Sequence, residues 1–343
     1  MHKKASPSSR VVELDALRGI AALAVVAFHY TTHYGQQYGH TDPLGFGFTP
    51  GNYGVNLFFL ISGFVIFMTL ERTRTAMDFV VSRFSRLFPA YWVAMLLTMA
   101  VVYTIGMPDQ HLPLRDLLLN FSMVQQILGA EHLDGSYWTL QVELFFYAQM
   151  LLWFALGLLK RIHLIILLWL GLAIGYGEVV IHHMHFSYLG RELLILRHIP
   201  FFALGILFYR LHTRPDENLL NYAMIALSLV AIGIAYPIVY LWVALGCCGI
   251  FLLFVNGMLG WMRGAFFVFL GSISYSLYLL HQAIGFALIH AMEQRGMPSL
   301  VACVATLVIV VALAALLTFT VERPAMRKIR SWWRANSLQL KSA

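Results

Sequence analysis

Runs of about 20 apolar residues recur along the chain between short polar connections, the length a helix needs to cross a hydrocarbon layer about 30 Å thick. Ten such segments are predicted, at 13–33, 52–71, 87–106, 138–158, 163–181, 195–211, 219–237, 239–258, 266–289 and 298–321. The expected fold is all-α, a polytopic transmembrane helix bundle of about ten spans. It reads as a single membrane domain over 1–343, with a polar leader at 1–12 and a basic tail at 325–343. The largest connection, roughly 107–137, carries no sign of an attached soluble domain, and no repeat relates the two halves.

Composition agrees with the pattern. The chain is 60% hydrophobic and 11% charged, with a mean hydropathy of +0.74; a soluble chain carries about a quarter charged residues. The net charge of +7 therefore reports basic loops on one membrane side and implies no nucleic-acid partner. Lys and Arg concentrate in alternate connections: Lys3, Lys4 and Arg10, then Arg72, Arg74, Arg83 and Arg86, then Lys160 and Arg161, Arg210 and Arg214, and Arg263. The tail adds Arg323, Arg327, Lys328, Arg330, Arg334 and Lys341, whereas the other side holds only Arg115, Arg191, Arg197 and Arg295. With ten crossings this places both termini in the cytoplasm. Cys247, Cys248 and Cys303 sit in apolar runs and suggest no disulfide framework. Asp15 and Arg18 interrupt the first run where a cleavable signal would be uncharged.

An ionisable group inside a bilayer is costly, so each marks a candidate site. Arg18 and His29 lie 11 residues apart, which brings them to one helix face with a rise of roughly 16 Å between them. Arginine can grip a phosphate or polarise a carbonyl, and histidine can take a hydroxyl proton near neutral pH. The plainer alternative pairs Arg18 with Asp15 and leaves His29 as a packing residue. His33, one turn on, would give a histidine pair for a metal, but no third ligand is identifiable and no metal is expected. In the second segment Asn56 wants a polar partner, while Ser62 and Gly63 suit either a packing seam or a substrate wall. Arg83 and Arg86 point the same way on a helix and, with Arg72 and Arg74, form a patch suited to phosphates. The ordinary excess of basic residues on the inner side explains the same patch equally well. Glu143, with Tyr147 on its face, needs a partner such as Arg18, His29 or a substrate hydroxyl; a structural ion pair is the alternative. Ser272, Ser274, Tyr275, Ser276 and Tyr278 lead to His281 as a polar stripe, either lining a cavity or joining helices. Glu322 closes the last segment before Arg323-Pro324.

Taken in order, these motifs resemble acyltransferase family 3 membrane proteins. The likeness runs from Glu13-Leu14-Asp15-Ala16-Leu17-Arg18-Gly19 with His29, through Asn56–Phe67, Arg83–Pro89 and Tyr137-Trp138-Thr139-Leu140 with Glu143. It continues through Pro200–Gly205 and Ser272–His281 and closes on Val321-Glu322-Arg323-Pro324. The resemblance implies transfer of an acyl group, often acetyl, from acyl-CoA to a hydroxyl of a cell-envelope carbohydrate such as O-antigen or exopolysaccharide. Some members carry an extra esterase-like domain; this chain resembles the single-domain form. It further implies a multi-pass protein of the cytoplasmic membrane, with acyl-CoA as a donor substrate and no permanently bound cofactor. In that reading His29 is the general base, Arg18 lies along the donor's path, Glu143 orients His29, and Arg83, Arg86, Arg72 and Arg74 hold the donor phosphates. Asn56, Ser62, Tyr147, Ser274, Tyr278 and His281 would line the substrate. Transfer is either direct or through an acyl-enzyme on His29 or Ser62. A transporter or flippase for a polar precursor is the competing class; it should usually show repeated halves with matching broken helices.

Overall fold

The computed structural model describes residues 11–105, 107 and 111–342, with the side chains of 338–342 excepted. Lys3, Lys4 and Arg10 of the expected leader therefore lie outside the described residues, as does the side chain of Lys341. Every described regular element is helical. In chain order the α-helices are α1 (Val12–Phe28), α2 (Tyr34–Gln37), α3 (Gly54–Glu71), α4 (Ala76–Ile105), α5 (Leu114–Asn120), α6 (Trp138–Ala155), α7 (Ile162–Ile181) and α8 (Tyr188–Leu193). They continue as α9 (Ile199–Thr213), α10 (Asn218–Ala235), α11 (Ile238–Val255), α12 (Ala265–Leu280), α13 (Ala283–Glu293), α14 (Ser299–Leu317) and α15 (Arg323–Ser342).

Each of the ten expected segments falls on helix. Among the described residues, however, six helices are long and apolar enough to cross a membrane, and a bent pair, α12 with α13, raises the number to seven. The segments at 13–33, 138–158 and 195–211 fall on helices outside that set. The span expected to run unbroken over 266–289 bends by 72° between Leu280 and Ala283. The expected tail at 325–343 continues as α15, which packs along the start of α4.

Two tightly crossed helix pairs organise the centre, α1 with α12 and α3 with α9. In both, glycine allows backbone to touch backbone. A Cβ on Gly19 would lie 2.7 Å from the Gly271 nitrogen, and one on Gly271 would strike the Asp15 carbonyl. Likewise a Cβ on Gly63 would strike the Phe202 carbonyl, and one on Gly205 the Leu60 carbonyl. Without a hydrophobic drive between helices in lipid, such close approach is a main source of association.

Two π turns adjust the faces that the helices present. His29–His33 continues α1 and Thr318–Glu322 joins α14 to α15. Such turns shift the side-chain register locally and are frequent at functional sites. The first starts at His29 and the second ends at Glu322.

Candidate functional site

A cavity lies among α1, α3, α4, α6 and α12. Arg18, Arg83 and Arg86 line it together with Glu143, Ser62, Tyr147, Ser274, Tyr275 and Tyr278. Eight of these nine were singled out from the sequence; Tyr275 was noted only as part of the polar stripe. Asn56 is buried at the start of α3 but does not line the cavity.

The three cations have different surroundings. Arg18 stands 3.7 Å from Asp15 one turn back. Arg86 is paired with Glu322, which the second π turn brings inward and which also accepts from Ser276 Oγ at 2.9 Å. The Arg86 guanidinium also lies 5.6 Å from the centre of the Tyr275 ring. Arg83 forms no ion pair among the described residues. It donates to Ser82 Oγ at 3.0 Å and lies 5.8 Å from the ring centres of both Phe79 and Tyr147. Its Nε is buried without a hydrogen-bond partner among the described residues. A buried guanidinium N–H without a partner costs free energy unless an anion or carbonyl meets it.

Glu143 does not orient His29. Its Oε1 accepts from Ser62 Oγ at 2.7 Å and from Tyr147 O–H at 2.5 Å, so it ties α6 to α3 on the cavity wall. The partner of His29 is His281. His29 Nδ1 lies 2.9 Å from the Val25 carbonyl and 3.3 Å from His281 Nε2. His281 Nδ1 in turn sits 2.7 Å from the Tyr278 carbonyl. A carbonyl only accepts, so His281 carries its proton on Nδ1 and presents a lone pair at Nε2. His29 then donates from Nδ1, shared between the Val25 carbonyl and His281, and its Nε2 keeps the lone pair. His33 packs against His29 with ring centres 5.3 Å apart. No group of three or more metal-ligating side chains occurs among the described residues.

His281 reaches this position because α12 breaks. A break frees carbonyls that an unbroken helix would satisfy, and each must find another donor. Here Tyr278 O takes His281 Nδ1, His281 O takes the Tyr30 hydroxyl at 2.9 Å, and Leu279 O takes the Tyr137 hydroxyl at 3.4 Å. At the start of α13, Ala283 N–H donates to Asp134 Oδ2 at 2.8 Å, while Asp134 Oδ1 accepts Ser136 N–H at 2.8 Å. Burial pushes the Asp134 carboxyl up from its ordinary range, and these hydrogen bonds pull against it. Neither Asp134 nor Tyr30 was legible as part of the site, because nothing in the sequence marks the break they secure.

Tyr278 separates the cavity from the histidine pair. It lines the cavity, accepts from Thr139 Oγ1 at 2.9 Å, meets Phe58 edge-on with ring centres 5.5 Å apart, and lies 5.2 Å from the His281 ring. His29 is thus behind the cavity wall rather than on it.

Of the four arginines expected to act as one patch, Arg72 and Arg74 line a second opening. This groove lies at the end of the bundle where α3 leaves and α4 begins. Its far wall is α15, with Arg330, Trp333 and Arg334, all within the segment that reads from sequence as a basic tail.

Three arginines lining one cavity, beside a pair of histidines, suit an anionic ligand. The comparisons agree on the class. Residues 11–319 match the model of acyltransferase family 3, described as an acyltransferase domain, and the chain belongs to that family. It is an acyltransferase. Protein 2 in the picA locus of Rhizobium radiobacter is 31% identical over 47% of this chain and 91% of its own length. Acyltransferase MdmB of Streptomyces mycarofaciens is 30% identical over 43% of this chain and 41% of its own. The exopolysaccharide production protein ExoZ of Rhizobium meliloti is 30% identical over 31% of this chain and 35% of its own. The chain thus spans most of the first relative but less than half the length of the other two. No solved structure matches it.

Proposed function

We propose that this protein moves an acyl group, in the simplest case acetyl, from acyl-CoA to a hydroxyl of a cell-envelope carbohydrate, by direct transfer. The observation that carries the reading is the tautomer geometry of His29. Its Nδ1–H is committed to the Val25 carbonyl and His281, so Nε2 is left as a base. In the proposed step Tyr278, which stands between the histidine pair and the cavity, turns aside, and His29 Nε2 takes the proton of the acceptor hydroxyl as its oxygen attacks the thioester carbonyl. The tetrahedral intermediate collapses with cleavage of the C–S bond. The ester leaves, the proton on Nε2 passes to the departing thiolate, and free CoA results. While His29 is protonated, the Val25 carbonyl and the His281 lone pair support the imidazolium. Arg18, Arg83 and Arg86 supply positive charge along the donor's path, and the unsatisfied Arg83 Nε suits a phosphate or thioester oxygen. Glu143, held by Ser62 and Tyr147, shapes the wall instead of serving the base. A carbohydrate acceptor is favoured by the resemblance to the exopolysaccharide production protein.

The topology belongs to the same proposal: ten crossings, cytoplasmic termini and a bacterial inner membrane, so that donor and acceptor can enter from opposite faces. The concentration of Lys and Arg in alternate connections supports that orientation.

The test is release of CoA thiol from acetyl-CoA by membranes containing the protein, with envelope glycan added. His29→Ala should lower the rate by about 10²- to 10⁴-fold, the usual worth of a general base, with expression and folding intact. Equal rates would remove His29 from the chemistry. No release above empty membranes with several acyl-CoAs would favour a carrier.

A further inference from the structure

The groove at the end of α3 holds a second set of cations that the cavity chemistry does not use. Arg72, Arg74, Arg330 and Arg334 line it against the single lining carboxylate, Asp78. Asp78 is already engaged. It accepts the Thr75 N–H at 3.2 Å in a reciprocal cap of α4, and the Trp333 indole N–H at 2.8 Å. Trp333 is thereby fixed on the groove wall, with its neighbour Trp332 facing outward at 63% exposure. Arg330 finds only neutral partners among the described residues, the Ser82 carbonyl and the Ser85 hydroxyl, both at 3.1 Å. Positive charge so concentrated, with a positioned indole beside it, suits a ligand with several phosphates and a flat ring.

The groove and the cavity share a hydrogen-bonded wall. Ser82 lines the groove, and its hydroxyl is 3.0 Å from Arg83 Nη2 on the cavity side and 3.4 Å from Arg330 Nη2 on the groove side. From Asp78 to Arg86 the rise along α4 is roughly 12 Å, within the reach of an extended pantetheine arm of several peptide-length units. A donor could therefore lay its nucleotide in the groove and its thioester in the cavity.

We propose that α15, through Arg330, Trp333 and Arg334, forms one wall of the subsite for the phosphorylated adenosine end of the donor. The inference rests on the acyl-CoA reading above. It adds a helix that lies beyond the residues matched by the family model, which end at 319. Arg72 and Arg74 face it across the groove and meet the phosphates from the other side, while Trp333 stacks on the base.

The test uses purified protein in nanodiscs and two readouts. The first is binding of adenosine 3′,5′-bisphosphate by calorimetry. The second is thiol release from acetyl-CoA and from S-acetylpantetheine, which lacks the nucleotide. Trp333→Ala and Arg334→Ala should each weaken bisphosphate binding and raise KM for acetyl-CoA on the order of tenfold, as loss of one stacking or phosphate contact does. Their kcat and their rates with S-acetylpantetheine should stay at the wild-type level. Trp332→Ala should change nothing. Unchanged binding and KM in both variants would overturn the proposal. So would equal losses with both donors, or an equal effect of Trp332→Ala, since either would mean that α15 only seats α4. Bisphosphate binding abolished by phosphatidylglycerol in the nanodisc, and insensitive to Trp333→Ala, would assign the groove to lipid headgroups instead. If the wild type binds bisphosphate through Trp333 but releases no thiol from either donor, the nucleotide subsite stands and the acyl-transfer reading falls.

Discussion

The partner that the sequence reading sought for His29 in Glu143 is, in the structure, His281. Depth and face can be read from spacing, and both placed Glu143 plausibly near the base. Azimuth between helices cannot be read this way, and it decides the pairing: Glu143 turns to Ser62 and Tyr147, while His281 comes from a segment more than two hundred residues away in the chain. The ionisable residues themselves were legible, because a charge in an apolar run has few reasons to be there. The histidine pair makes a prediction specific to positioning. His281→Ala removes the acceptor for His29 Nδ1–H without touching the Val25 carbonyl. It should lower kcat by on the order of 10², as loss of an orienting partner does in other bases, and leave KM for acyl-CoA unchanged. The pH dependence of kcat is the discriminating readout. It should move when His281 is lost, because the imidazolium of His29 loses a supporting lone pair, whereas a residue of merely structural importance would lower the rate at every pH alike.

At the level of elements, the paired glycines matter more to the site than any single polar contact. α1 carries Arg18 and leads into the π turn that begins at His29, α12 carries Ser274 and Tyr278, and α3 carries Ser62; their distances follow from backbone contact of Gly19 with Gly271, of Gly63 with Phe202 and of Gly205 with Leu60. Gly63 was legible as a packing position, but its partner on α9 was not. Gly205→Ala should destabilise the protein by about 1–3 kcal/mol, the usual cost of overpacking, because the new Cβ meets the immovable Leu60 carbonyl rather than a flexible side chain. Gly246→Ala, where an added Cβ meets nothing within 4 Å, should be neutral or stabilising by up to about 1 kcal/mol, since alanine is the better helix former. Thermal unfolding of both variants in the same detergent checks the contrast; equal midpoints would mean that the close crossing contributes nothing. The break of α12 shows where local reading ends. Leu280-His281-Gln282-Ala283 contains neither proline nor glycine, so no local signal opens the helix there. It opens because Asp134, Tyr30 and Tyr137 from other segments take up the freed backbone groups.

Over the whole molecule the helical class was legible from run length alone, since no other regular structure satisfies its backbone within so much apolar sequence. The number of crossings is a finer matter, because length and hydropathy single out six or seven helices while the pattern of basic connections asks for ten. The disagreement centres on helices such as α6, which carries Glu143, and α9, both packed against α3. A helix that buries polar groups inside a bundle can cross a bilayer with less apolar surface than one facing lipid, so composition undercounts such members. Four cysteine substitutions at exposed connections separate the alternatives: Leu128→Cys before α6, Lys160→Cys after it, His185→Cys after α7 and Asp216→Cys after α9. The native cysteines are buried and give little background. With ten crossings, an impermeant thiol reagent applied outside intact cells should label positions 128 and 185 at once, and positions 160 and 216 only after permeabilisation. Two successive positions labelled from the same side would remove the crossing between them. If α6 proved to be that helix, Glu143 would no longer lie at membrane depth, and a donor reaching it from the cytoplasm would not need to pass through the bundle.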